Sequence, residues 1–244
     1  MEPNLLILSG GVFIVAALYS SVGHAGASGY IAVMSLLSMA PSVIKPSALA
    51  LNILVASIAT IQFARAGHFS WRLFWPFATL AVPAAFVGGY LTLPTQAFKV
   101  VLGLVLLYSA LRFIWPSNEE RSIRAPALLP ALVSGAAIGL LSGLTGTGGG
   151  IFLTPLLLFM GWAAPKQAAG VSALFILVNS VAGLLGNFSS TKSIPDFIWY
   201  PLISACSGGL LGSYIGSSKV PAKSIKHLLA CVLLIAGGKL VLAR

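Results

Sequence analysis

Gly143-Leu144-Thr145-Gly146-Thr147-Gly148-Gly149-Gly150 interrupts a sequence that is otherwise apolar and helical in pattern. Five glycines in eight residues permit backbone dihedrals closed to other side chains and let backbone or ligand approach closely. Thr145 and Thr147 add hydroxyls just before the apolar run that begins at Ile151. An anion could rest there on backbone N–H groups at the start of a helix. At membrane depth such a break is tolerated only where protein or a water-filled cavity surrounds it. The spacing is not that of a phosphate loop, because no Gly-Lys-Ser or Gly-Lys-Thr follows.

Composition sets the class. Of 244 residues, 58% are hydrophobic and 7% charged, against about 25% charged in soluble domains. A polytopic membrane protein fits; a soluble domain does not. The 14 basic and 4 acidic residues give a formal charge of +10. They fall mostly in short breaks between apolar runs, which suggests charges that set membrane topology and not a nucleic-acid surface. Met1-Glu2-Pro3-Asn4 carries no basic residue before the run at Leu5, so the first run reads as a retained helix and not a cleaved signal. Cys206 and Cys231 lie in apolar stretches and read as buried packing residues, without the spacing of a metal or disulfide pair.

Ten apolar segments are expected, at 5–22, 29–40, 47–64, 71–92 and 97–115, then 127–143, 150–161, 168–187, 196–216 and 223–242. Eight or more are long enough to span. The segments 29–40 and 150–161 cover only about 18 Å as helices, too short for a perpendicular crossing. Each follows a glycine-containing break. A shift of 121 superposes Gly29 on Gly150, Lys45 on Lys166 and Ala48 on Ala169. Small register changes then match Pro76 with Pro201, Gly88 with Gly212 and Tyr90 with Tyr214. The fold expected is an all-α polytopic membrane protein built of two tandem repeats, 1–115 and 127–244, each with a glycine-broken first hairpin. A linker, 116–126, joins them.

An odd number of crossings per half inverts the second repeat. The loops then divide into two sets. One holds Arg65, Arg72, Arg112, Arg121, Arg124, Lys166, Lys219, Lys223 and Lys226; the other holds Lys45, Lys99, Lys192, Lys239 and Arg244. The richer set marks the cytoplasmic side and places the linker there, in a bacterial cytoplasmic membrane.

The first-half counterpart of the glycine stretch runs from Ser20 to Tyr30 and contains Gly23, His24, Gly26, Ser28 and Gly29. In an inverted repeat two such tips can meet near the bilayer centre and form a solute site; close packing of small residues is the competing explanation. His24 could donate to an anion, exchange a coupling proton, or be satisfied by helix backbone. Lys45 and Lys166 could draw an anion into a vestibule or snorkel. Asn52, Ser172 and Asn179 are candidates to line a pocket or to bond between helices. Trp71, Trp75, Trp115, Trp162 and Trp199 read as interface anchors.

Ser142 through Pro155, with Gly146, Gly148, Gly149 and Gly150, resembles the signature of the TauE/SafE family of bacterial sulfite exporters. Tyr19 through Met34 is similar to a variant of the same motif, retaining Gly23, Gly26 and Gly29 but carrying Ala27 and Ser28 where glycine would be expected. The resemblance covers essentially the whole chain and implies export of sulfite or a small organosulfonate. The expected site is therefore Gly23, His24, Gly26, Ser28, Gly29, Asn52, Thr145, Gly146, Thr147, Gly148, Gly149, Gly150, Ser172 and Asn179. No catalytic constellation, metal set or cofactor motif is apparent, so an enzyme is disfavoured. An anion channel, or a non-transporting membrane subunit that uses its glycines for packing, remains the alternative. An apolar helix face can meet lipid or a second copy, which leaves a homo-oligomer open.

Overall fold

A computed structural model describes residues 2–39, 41–91, 123–191 and 198–221, together with 107, 111, 224, 227, 230, 231, 234 and 238. All regular structure among them is helical. The first half contributes α1 (Glu2–Ser20), α2 (Ala27–Leu36), α3 (Pro41–Arg65) and α4 (Trp71–Tyr90). The second contributes α5 (Leu128–Thr145), α6 (Gly150–Phe159), α7 (Pro165–Thr191) and α8 (Trp199–Tyr214), which runs into a π-helical turn at Ile215–Lys219. The segments expected at 97–115 and 223–242, including Trp115, lie wholly or largely outside the described residues.

Among the described residues four helices are long and apolar enough to cross a membrane: Val43–Arg65, Trp71–Tyr90, Leu128–Thr145 and Pro165–Phe188. Helices α2 and α6 have ten residues each, about 15 Å of rise and half of a bilayer core. Both α3 and α7 open on proline, Pro41 and Pro165. That is the helical position at which a missing N–H costs least. Ser70 caps α4, its Oγ accepting from the Leu73 N–H at 3.4 Å.

The two short helices carry the same local hydrogen bonds 123 residues apart. Gly29 and Tyr30 N–H both donate to Gly26 O, as Phe152 and Leu153 N–H do to Gly149 O. At the far ends Met39 N–H reaches Met34 O at 3.1 Å, and Trp162 N–H reaches Leu157 O at 2.8 Å. Ser38 (φ 55°) and Gly161 (φ 66°) are both left-handed there. The structural spacing is thus 123, not the 121 read from matching letters. Caps are set by dihedrals and not by residue identity, and in so apolar a chain identities align easily by chance.

Helix packing exchanges partners between halves. Helix α1 packs on α8 and α4 on α5, while α3 and α7 meet each other in the centre. Helix α3 also packs on α8, and α7 on α4. The pairs α4–α5 and α1–α8 are held close by glycines four residues apart on one face. A Cβ on Gly135, Gly139 or Gly143 would fall on the carbonyl oxygens of Phe77, Ala81 and Ala85. One on Gly208, Gly212 or Gly216 would fall on those of Phe13, Ala17 and Ser21. Removing the side chain lets two helix backbones touch, which is how membrane helices gain contact without a hydrophobic drive between them.

The ends of α3 and α6, the start of α7 and the π-turn come together. Gly170 packs against His68 O, Lys166 Nζ donates to Ser217 O at 3.3 Å, and Arg124 N–H donates to Gly161 O at 3.0 Å. Arg124, Lys166 and Lys219, expected on one side, therefore share one end of the bundle with His68. Trp71, Trp75 and Trp199 are exposed as anchors require, whereas Trp162 is half-buried with its ring 5.9 Å from Phe77. The cysteines differ from expectation. Cys206 is half-buried and Cys231 exposed, both as free thiols.

The glycine contacts yield a paired expectation. Gly143→Ala should destabilise the protein by about 1–3 kcal/mol through overpacking. Gly10, with nothing within 4 Å of the point a Cβ would occupy, should accept alanine without loss. Equal thermal midpoints for the two variants in detergent would show that the α4–α5 contact is not limiting.

Candidate functional site

The chain leaves α1 through a turn in which Gly23 N–H donates to Ser20 O at 3.0 Å and His24 N–H to Tyr19 O at 2.9 Å. Gly23 (φ 77°) and Gly26 (φ 100°) then take left-handed dihedrals before α2. The second break is built alike. Gly146 (φ 74°) donates to Ser142 O at 2.8 Å, and Gly148 (φ 78°) and Gly149 (φ 82°) redirect the chain into α6. L-residues are disfavoured at all five positions. Residues 146–150 and 21–30 are all buried.

Each break lies against the other half. Gly23 packs on the Ala169 backbone of α7, and the Cβ that Gly146 lacks would be 3.2 Å from Lys45 Cγ on α3. A Cβ on Gly148 would lie 2.6 Å from Ile176 Cγ2, 2.8 Å from Asn52 Nδ2 and 3.0 Å from Ser180 Oγ. Gly150 faces the same Ile176 and the Cδ2 edge of His24. Polar side chains follow these contacts. His24 Nε2 lies 2.9 Å from Thr154 Oγ1, and the Thr154 hydroxyl donates to Ser172 Oγ at 2.7 Å. Asn52 Nδ2 donates to Ser180 Oγ at 3.4 Å. Thus the first break, α6, α3 and α7 share one buried polar cluster.

The expected site residues separate on this geometry. Gly23, His24, Asn52, Gly148, Gly150 and Ser172 converge. Gly149 packs on Phe175, Ile138 and Ser142, and Asn179 Nδ2 turns back to Phe175 O at 2.9 Å. Gly26 and Gly29 serve α1–α2 packing, with Val15 filling the space beside them. Ser28 Oγ donates to Tyr19 Oη at 3.1 Å. Thr145 Oγ1 donates to Leu141 O at 2.7 Å and lies 2.9 Å from Thr147 Oγ1, so Thr145 caps its own helix. Lys45 Nζ donates to Gly89 O at 3.1 Å and Lys166 to Ser217 O. Both therefore hold helix-end carbonyls. Beside Ser217 lies a cavity of about 360 Å³ lined by Gln62, Arg65, Ala66, Tyr214, Ser217 and Ser218. Desolvation and the neighbouring Lys166 charge lower the pKa of His68 at this end.

Thr154, Ser180 and Ser142 lie outside the expected set. Thr154 is legible in hindsight of its spacing: it stands one helical turn after Gly150, which places two residues on one face. Several buried polar atoms in and around the cluster have no partner among the described residues: His24 Nδ1, Asn52 Oδ1, Asn179 Oδ1, Ser142 Oγ and Ser47 Oγ. Among the described residues no group of three His, Cys, Asp or Glu side chains could hold a metal ion.

The family model described as Sulfite exporter TauE/SafE matches residues 8–240. A probable membrane transporter protein, y4hK, from Sinorhizobium fredii (strain NBRC 101917 / NGR234) is 40% identical over 99% of this chain and 100% of its own length. A probable membrane transporter protein from Xylella fastidiosa (strain Temecula1 / ATCC 700964) is 34% identical over 38% of this chain and 34% of that protein. The probable membrane transporter protein MJ0441 of Methanocaldococcus jannaschii is 25% identical over 52% of this chain and 49% of its own. No solved structure matches.

The cluster can be tested by removing its central hydroxyl. Thr154→Val keeps the shape but strips His24 Nε2 and Ser172 of a buried partner, which should cost about 1–3 kcal/mol. Ser57→Ala, whose hydroxyl bonds only to Ile53 O of its own helix, should cost far less. Unfolding of both variants in detergent checks this; an equal shift would mean that the His24–Thr154–Ser172 chain is energetically idle.

Proposed function

The chain belongs to the sulfite exporter TauE/SafE family of membrane transporters, and we propose that it exports a small anion, sulfite or an organosulfonate, by alternating access. The observation that carries this reading is the meeting of the two breaks, with His24 of the first bonded to Thr154 of the helix that the second begins. The solute's oxygens lie at the starts of α2 and α6, where N–H groups fall outside the intrahelical ladder. Thr147, Asn52 and Ser172 line the same region, and Lys45 and Lys166 draw anions towards it along the two vestibules. Convergent donors matter because an unpaired charge at membrane depth is costly.

In this reading residues 1–115 and 127–244 are inverted repeats and 116–126 is a cytoplasmic linker. The 123-residue recurrence of caps and the exchange of helix partners between halves support the repeat. The crowding of basic residues at the end shared by Arg124, Lys166 and Lys219 supports the orientation. Rocking of one helix set against the other exposes the cluster to each side in turn. His24 is the group through which a proton could be coupled. Nothing in the cycle requires catalysis.

A non-transporting subunit is the second reading, favoured by one fact: Gly23 of the first break packs on the Ala169 backbone much as the α5 glycines pack on α4. Flux decides. Purified protein in sealed proteoliposomes should move sulfite saturably, and Gly148→Leu, which drives a side chain into Asn52 and Ile176, should reduce the rate at least about tenfold. Thr154→Val, chosen because it preserves volume, should slow it less. Absence of protein-dependent movement of sulfite, sulfate and taurine would reject the transporter reading for these solutes. Movement that does not saturate would replace alternating access with a channel.

A further inference from the structure

The buried cluster has an excess of acceptors. Asn52 Nδ2 donates to Ser180 Oγ, and Oδ1 is left buried with no donor among the described residues. Asn179 does the same one turn beyond Phe175, with Nδ2 on the Phe175 carbonyl and Oδ1 unpartnered. His24 adds a third. The one hydrogen of the Thr154 hydroxyl goes to Ser172, so Nε2 must be the donor to Thr154. In the neutral ring Nδ1 is then an acceptor, and it too has no partner among the described residues. Asn52 stands against Gly148 and His24 against Gly150, and both glycines pack on the single side chain of Ile176. Two of the three orphaned acceptors therefore belong to one small region at the second break.

A bare oxyanion offers only lone pairs and would leave these atoms unsatisfied. Buried polar groups without a partner are expensive, and sites that keep such groups discriminate strongly for the ligand that satisfies them. We propose that the site is selective for a monoanion carrying its own hydrogen-bond donor, an O–H or N–H, over an anion of equal charge and size that lacks one. The anionic end meets backbone N–H groups at the break, and the donor end meets Asn52 Oδ1 or His24 Nδ1. Hydrogensulfite and a hydroxyalkanesulfonate satisfy this rule; a simple alkanesulfonate does not. The inference rests on the proposed use of this cluster as the solute site.

Isethionate and 1-propanesulfonate form the probe pair, since both are monoanions of nearly equal length and differ by a hydroxyl in place of a methyl. Calorimetric titration of the full-length protein in detergent should show isethionate binding about tenfold more tightly, the effect of one or two buried hydrogen bonds. Asn52→Leu should bring the two affinities together by weakening isethionate alone. His24→Phe, which removes the other acceptor, serves if the first variant melts abnormally. Equal binding of the two sulfonates by the parent protein, or a preference that survives both substitutions, would overturn the donor rule. Binding with that preference but without flux in proteoliposomes would instead reject transport and leave the rule standing. Binding of neither sulfonate nor sulfite would overturn both.

Discussion

A helix that stops inside a membrane must have its free N–H and C=O groups satisfied within the protein, because hydrocarbon offers none. Everything near the centre of this molecule follows from that constraint applied twice. Helices α1 and α5 stop at left-handed glycines, and α2 and α6 restart after them. Neither break is covered by its own half alone: Gly23 rests on α7, and Gly146 and Gly148 rest on α3. The breaks thus depend on the opposite half for shelter, and the halves depend on the absence of side chains at the breaks to come together.

The close approach is made elsewhere, between α4 and α5 and between α1 and α8. There glycines repeat every fourth residue against a partner's carbonyls. These seams are mainly backbone against backbone, with Ser20 Oγ adding one bond to Gly209 O at 3.2 Å. They bring α3 and α7 into the centre, where the buried polar residues Asn52, Ser172, Asn179 and Ser180 lie fully enclosed. Small residues at the periphery and polar residues at the centre are two parts of one arrangement, since only tight outer seams can keep water and lipid from an inner polar cluster.

Much of this is legible in the sequence. The glycine stretch announces a broken helix, segment lengths mark α2 and α6 as too short to span, and the pairing of breaks is visible from their order. His24, Asn52 and Ser172 stand out as polar groups in suitable places. Less visible is the division of labour among similar residues. Thr145 and Thr147 sit in the glycine stretch, yet Thr145 bonds back to Leu141 O, whereas Thr154, inside an apparently uniform apolar run, joins His24 to Ser172. A hydroxyl within a helix can satisfy itself on the preceding turn or reach across, and composition does not distinguish the two. The lysines are similarly ambiguous until their Nζ atoms are placed on Gly89 and Ser217 carbonyls. Exposed positions such as Cys231 escape because a membrane helix is apolar on every side, so burial leaves no period to read.

The two breaks are alike in backbone and unlike in chemistry. The first supplies an imidazole, and the second supplies glycines and the helix that carries Thr154. Their connection through His24 and Thr154 means that any separation of the first break from α6 must undo a buried hydrogen bond. Each polar group left unpaired costs about 1–3 kcal/mol. A ligand can shift a conformational equilibrium only by as much as it binds one state better than another. A solute that bonds to these groups when they part offsets that cost, while one that cannot leaves the closed arrangement favoured. The same hydrogen bond that holds the breaks together can therefore tie opening to the identity of the solute, with no separate gate required.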